Sequence, residues 1–211
     1  MTPARDPEPF EPPLLARMLL ETVLPLETEE SVSGDLIEEY RHRLLRGSSH
    51  RPAVFWYLRQ VAGFVWRAIW MFTAFVAAAV ALRDIVDTFV PVVPGPHAYQ
   101  LRSAFTTWSA VAIYLSAGFV AALKSGKIST GLFVALASHV VGHLVAISVG
   151  AVLFFSVIAR NLAALEEFQL SGGWGEAWSI PLMLVPIVAI LAIVGACVGR
   201  LVRRPLTGRL T

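Results

Sequence analysis

The chain has 211 residues, of which 56% are hydrophobic and 15% charged, with a formal net charge of +2. Ordinary soluble domains run near 45–50% apolar and about 25% charged, so this composition argues against a soluble enzyme, a disordered chain and a secreted disulfide scaffold. A single cysteine, Cys197, allows no intrachain disulfide.

The first 40 residues carry ten acidic side chains and only Arg5 and Arg17 as bases; residues 41–67 carry six arginines and no acid. The opening MTPARDPEPFEPP is proline-rich and acidic, unlike the basic and then apolar start of a secretory signal. Residues 1–11 are expected to be a disordered tail. PPLLARMLLETVL follows as an amphipathic helix, the prolines suiting its first positions. Leu15, Met18, Leu19, Thr22 and Val23 recur at helical spacing and predict its apolar face.

Pro25 separates that helix from a second, from about Glu27 to Arg46. Val32, Leu36, Tyr40 and Leu44 fall four apart on one stripe. Acids near the amino end and Arg41, Arg43 and Arg46 near the carboxyl end complement the helix dipole, and Gly47 is a suitable stop. The two helices could pack as an antiparallel hairpin. Gly34 would then either permit close approach or be dispensable. Pro52 opens a third helix in which Val54, Phe55, Trp56, Tyr57 and Leu58 lead to Arg59 and Arg67. Aromatics mixed with arginines suit headgroup depth, a belt that Trp66 and Trp70 extend.

Four segments are long and apolar enough to cross roughly 30 Å of hydrocarbon: residues 64–86, 103–123, 131–156 and 177–199. The expected class is an all-α polytopic membrane protein with four transmembrane helices. A small amino-terminal cytoplasmic helical module (12–63) precedes them, and a basic cytoplasmic tail (200–211) follows. With both termini on one side, that side carries fourteen Lys and Arg, and the other carries only Arg83, Arg102 and Arg160. The positive-inside rule then places both termini in the cytoplasm, in the cell inner (plasma) membrane, with Cys197 kept reduced. The arginines flanking the spans should attract anionic lipid; nucleic acid is not needed to explain them.

The outer loops are short. The first holds Pro91, Pro94, Gly95 and Pro96; the third holds SGGWGE, which lacks the Lys and Ser/Thr of a phosphate loop and reads as a flexible turn with an interfacial Trp174. Arg83, Asp84 and Asp87 cluster at the outer end of the first span, either as a weakly paired helix end or as the mouth of a path. In the third span His139 and His143 lie one turn apart on one face, roughly 18–24 Å from Lys127 at 1.5 Å per residue. Histidines at that spacing can bind one metal ion or act as polar glue between helices. Ser138, Gly142, Ala146 and Gly150 form a small-residue stripe beside them, and Gly195 and Gly199 give GxxxG in the fourth span, for packing within the bundle or in a homo-oligomer. In that fourth span Pro181 starts the helix proper and Pro186 is the candidate for a kink.

Residues 12–60 contain PPLLARMLLETVLP, then GDLIEEY at 34–40 and FWYLRQ at 55–60. This pattern resembles the permease prefix domain at the amino terminus of bacterial ABC-transporter permeases of the macrolide-exporter type. The resemblance covers about a quarter of the chain. It implies a cytoplasmic docking element on a transport-associated or permease-related subunit, with Gly34, Asp35, Leu36, Glu38, Glu39, Tyr40, Trp56 and Tyr57 as its docking residues. Those permeases carry a large extracytoplasmic domain between their first two spans; here about twenty residues lie there. With no GxxxxGK[ST] motif, any ATPase would be a partner. No nucleophile–base pair or cofactor loop points to an enzyme, and no cofactor is implied. The alternative reading is a membrane-anchored regulatory protein whose prefix docks a partner; an intramembrane metal or proton site at His139 and His143 is a third.

Overall fold

The computed structural model describes the backbone of residues 11–89, 98–156, 158–170 and 172–207. Residues 1–10, the proline-bearing loop 90–97, and the side chains of Asp87, Arg102 and Arg204 lie outside the described set. Among the described residues the protein is all helical: α1 (Leu14–Val23), α2 (Leu26–Leu45), α3 (His50–Phe89), α4 (Ala98–Ser125), α5 (Ile128–Ser156), a 3₁₀ turn (Ile158–Arg160), α6 (Leu162–Leu170) and α7 (Gly173–Thr207). Helices α3, α4, α5 and α7 are each long and apolar enough to span a bilayer. The protein is a multi-pass, four-helix membrane protein. Large apolar side chains such as Met71, Phe75, Leu182 and Met183 face outward along the spans, where lipid rather than water is their solvent.

Helix α3 is continuous for 40 residues. The boundary expected at residue 63 therefore falls inside a helix, because nothing between Ala53 and Phe89 removes a helical hydrogen bond. Its first turns complete the amino-terminal module. Ala53, Tyr57 and Val61 of α3 bury against Ala16, Leu20 and Leu24 from the α1 segment and Leu36 and Tyr40 of α2. The module is thus three helices deep, and the expected hairpin does not stand alone. Helix α2 presents the stripe read from its sequence, with Leu36 and Tyr40 buried and Val32 and Leu44 packed beside them. It ends in a Schellman motif: Ser48 N–H donates to Arg43 O and Gly47 N–H to Leu44 O, both at 3.1 Å. Gly47 has φ +88°, the left-handed conformation this stop requires.

The expected face of α1 is corrected. Ala16, Leu20 and Val23 are buried, whereas Leu15 and Met18 are exposed. Apolar residues occupy so much of this helix's circumference that periodicity alone does not select the inward side. Gly34 is exposed, and a Cβ there would meet nothing within 4 Å; the neighbouring Ser33 is buried instead. The segment after Arg160 also holds more regular structure than its sequence suggests. Phe168 of α6 packs on Phe154 and Trp174, with ring centroids 5.2 and 5.8 Å away. Trp174 therefore closes a small core with Ile158 rather than serving as an interfacial anchor alone.

Glycine brings α4 and α7 together. A Cβ on Gly195 would strike the Leu115 carbonyl, one on Gly199 the Phe119 carbonyl, and one on Gly118 the Ala192 carbonyl. The GxxxG of the fourth span thus faces α4 of the same chain. Helix α5 buries Ser138, His139, Gly142, Ala146 and Gly150. Gly142 lies against α3, where a Cβ would be 2.6 Å from Ala77 O, and Ser138 donates to Thr73 O at 3.2 Å.

Candidate functional site

Two polar sites interrupt the apolar structure. One joins the module to the near end of the bundle; the other lies inside the bundle toward the far end.

The near site begins at the α4–α5 turn. Gly126 adopts φ +78° there, which allows α5 to start two residues after α4 ends. Lys127, at the start of that turn's second arm, points back to the module. Its Nζ lies 2.6 Å from Glu29 Oε2 and also donates to the Glu21 carbonyl. Thr130 donates to Thr22 O at 2.5 Å. Arg203, near the end of α7, pairs with Glu27 and donates to Lys124 O at 2.6 Å. The Glu27 carboxyl is held below the usual range by hydrogen bonding to its own backbone and then by Arg203. The acidic module is therefore docked on basic residues of its own bundle. Sequence alone gave no signal for these pairings, since Lys127 lies about a hundred residues from its partners in the chain.

The residues expected to dock a partner divide into two sets. Leu36, Tyr40 and Tyr57 form the module's core, with the Tyr40 and Tyr57 rings 5.8 Å apart and edge to face. Their burial uses them inside the chain. Gly34, Asp35 and Glu38 are exposed. Glu39 pairs with Arg43 at 2.9 Å, and Arg43 lies over the Trp56 ring, 4.3 Å from its centroid. What sequence reading missed is the outward apolar edge of α1: Leu14, Leu15 and Met18 are all exposed. The signal was present in the excess of apolar residues on α1, more than one face can bury.

The far site gathers residues from all four spans. His139 sits between α4 and α7. The Tyr114 hydroxyl is 2.7 Å from its Nδ1, and its Nε2 is 3.0 Å from Pro181 O. A carbonyl can only accept, so Nε2 carries a proton, and the Tyr114 hydroxyl, which can donate or accept, partners Nδ1. Both ring nitrogens of His139 are thereby engaged. One turn on, His143 stacks on His139, with centroids 6.5 Å apart and planes within 16°. Its Nδ1 lies 3.5 Å from Asp84 Oδ2. Asp84 pairs through Oδ1 with Arg83 at 2.6 Å, and Arg83 Nε donates to Thr106 O at 3.2 Å. The Trp178 ring stands edge-on to His143 at 6.3 Å.

This geometry does not suit the expected two-histidine metal site. Both ring nitrogens of His139 are engaged by protein partners, and among the described residues no group of three or more His, Cys, Asp or Glu could hold a metal ion. The Arg83–Asp84 pair is also not the loose helix end that its sequence allowed. Asp84 is 8% exposed and belongs to the bundle interior.

No protein-family description, curated protein or solved structure matches this chain.

Proposed function

We propose that the protein is an accessory subunit of a membrane transport assembly, related to permeases and without an ATPase of its own. It sits in a bacterial inner membrane with both termini in the cytoplasm. Its amino-terminal module docks an ABC-type ATPase or permease, and its four spans anchor that contact. The observation that carries this reading is the way the two prefix-like segments meet. Leu36 and Tyr40 of GDLIEEY and Tyr57 of FWYLRQ share one buried core, so the segments form a single folded unit. That unit is tied to the bundle by Lys127, Thr130 and Arg203. Leu14, Leu15 and Met18 of α1 and Asp35 and Glu38 of α2 remain exposed, apolar and acidic groups that suit a protein partner with an apolar groove and basic residues. The basic ends of the spans meet anionic lipid.

The test is photo-cross-linking in native membranes from positions Leu15 and Asp35. Capture of an ATPase or permease, lost on Leu15→Glu, supports the reading. Capture of a soluble regulator alone from both positions would overturn it in favour of a membrane-anchored regulatory protein. Capture of nothing but lipid, or of the chain itself, would overturn it as well.

A further inference from the structure

Asp84, Arg83 and His143 lie together among apolar helices, with side chains 11%, 17% and 14% exposed. Ionisable groups at such depth are costly and are kept for a purpose. Arg83 takes one carboxylate oxygen of Asp84 and leaves the other toward His143.

His143 differs from its neighbour in a specific way. His139 has a partner for each nitrogen, whereas among the described residues neither nitrogen of His143 has a well-formed hydrogen bond. Yet two acceptors face the ring, the Asp84 carboxylate and the Ala177 carbonyl. Pro181 lies four residues after Ala177 and has no N–H, so the helix cannot supply that carbonyl with its usual donor. A neutral imidazole offers one N–H and an imidazolium offers two. The pocket therefore presents two acceptors to a ring that can serve only one of them until it gains a proton.

Among the described residues, the groups around His143 come from three helices. Helix α3 supplies Asp84, with Arg83 paired to it. Helix α5 supplies His139, whose ring stacks on that of His143. Helix α7 supplies the Ala177 carbonyl and the Trp178 ring, and the Tyr114 hydroxyl of α4 is engaged by His139.

We propose that Asp84 and His143 form a proton-binding site within the bundle, occupied on acidification. The bound proton would tie α3, α5 and α7 together. One proton from solvent forms one N–H bond on the imidazole, which becomes an imidazolium and adds one positive charge to the site. The loose 3.5 Å contact then becomes a charged hydrogen bond, and the Ala177 carbonyl gains a donor.

The full-length protein in lipid nanodiscs, labelled with ¹⁵N only at histidine, gives at most five side chains to follow. His139→Gln and His143→Gln assign the two in the bundle. Nuclear magnetic resonance of the ring nitrogens is recorded from about pH 8.5 to about pH 4.5, the range over which histidine changes charge. His143 is expected to pass reversibly from neutral ring to imidazolium. Asp84→Asn should move the His143 transition down by about one pH unit or more, and Arg83→Gln should move it up. A His143 that stays neutral throughout overturns the proposal. So does a transition that neither variant moves, and if Asp84→Asn does not fold, Arg83→Gln decides alone.

Discussion

A buried hydroxyl with a partner and a buried hydroxyl without one contribute to stability with opposite signs. The Tyr114 hydroxyl is hydrogen-bonded to His139 Nδ1 at 2.7 Å, while Nε2 reaches the Pro181 carbonyl. Tyr114→Phe leaves Nδ1 buried with no partner. Interhelical hydrogen bonds in membranes average well under 2 kcal/mol, and an orphaned polar atom adds its own desolvation cost. The expected loss is about 1–2 kcal/mol, read as a lower midpoint of thermal unfolding in mild detergent. The Tyr40 hydroxyl is also buried, but no hydrogen-bond partner meets it, and burial pushes its pKa up. Tyr40→Phe keeps the edge-to-face contact with Tyr57 and removes an unserved polar group. It should be neutral or raise the same midpoint slightly. Equal losses in the two variants would contradict this account of both sites.

At the scale of the helices, glycine has two separate roles. Gly195 lets α7 approach α4 until a Cβ would meet the Leu115 carbonyl backbone, which cannot swing aside as a side chain could. Gly195→Leu should separate the two helices at an overpacking cost of about 1–3 kcal/mol. Gly34 faces open space in a helix, so Gly34→Ala should stabilise by about 0.5–1 kcal/mol through the unfolded chain. Thermal unfolding of the two variants side by side checks both signs. The sequence made the four spans legible, because crossing lipid demands an apolar run of fixed length. It made the GxxxG pair legible too, but not its partner, since Leu115 and Phe119 look like any lipid-facing residue. Buried Val188 and outward Leu182 are chemically alike, so hydropathy cannot say which side of α7 packs. The inward face of α1 was misjudged for the same reason. Helix α6 escaped notice because Phe154 and Trp174 hold it, and both lie outside its own nine residues. At the far site His139 and His143 were legible as a pair. Their different roles were not, because each depends on groups from other helices: Tyr114 and Pro181 for one, Asp84 for the other.

Across the whole molecule, charge has two tasks that a simple count merges. Fourteen Lys and Arg on one side suit orientation in the membrane, but Lys127 and Arg203 also hold Glu29 and Glu27 of the module. The Lys127 side chain is only 11% exposed, so its pair is shielded from salt more than a surface pair. Lys127→Glu sets a carboxylate against Glu29 and the Glu21 carbonyl, replacing two attractions with two repulsions, while leaving the spans untouched. The module should open more often. Trypsin should then cut after Arg41, Arg43 or Arg46 roughly tenfold faster, the equivalent of about 1.4 kcal/mol in the opening equilibrium. An unchanged cutting rate would mean that the apolar contacts of α1 and α2 with α3 hold the module without Lys127. Acid should act on the same joint through Glu27. Its carboxyl is held below the ordinary glutamate value by its own backbone and by Arg203. A depressed acid stabilises the docked state in full above that value, and the contribution is lost as pH falls through the lower folded value. Spin labels at Ser31→Cys and Arg200→Cys, in a Cys197→Ser background, report the separation of module and bundle. The distance should hold steady from neutral pH down to about pH 4.5 and lengthen only below it. In Lys127→Glu it should already be longer at neutral pH. A lengthening that begins near pH 6 in the otherwise wild-type chain would assign the joint to a histidine rather than to Glu27.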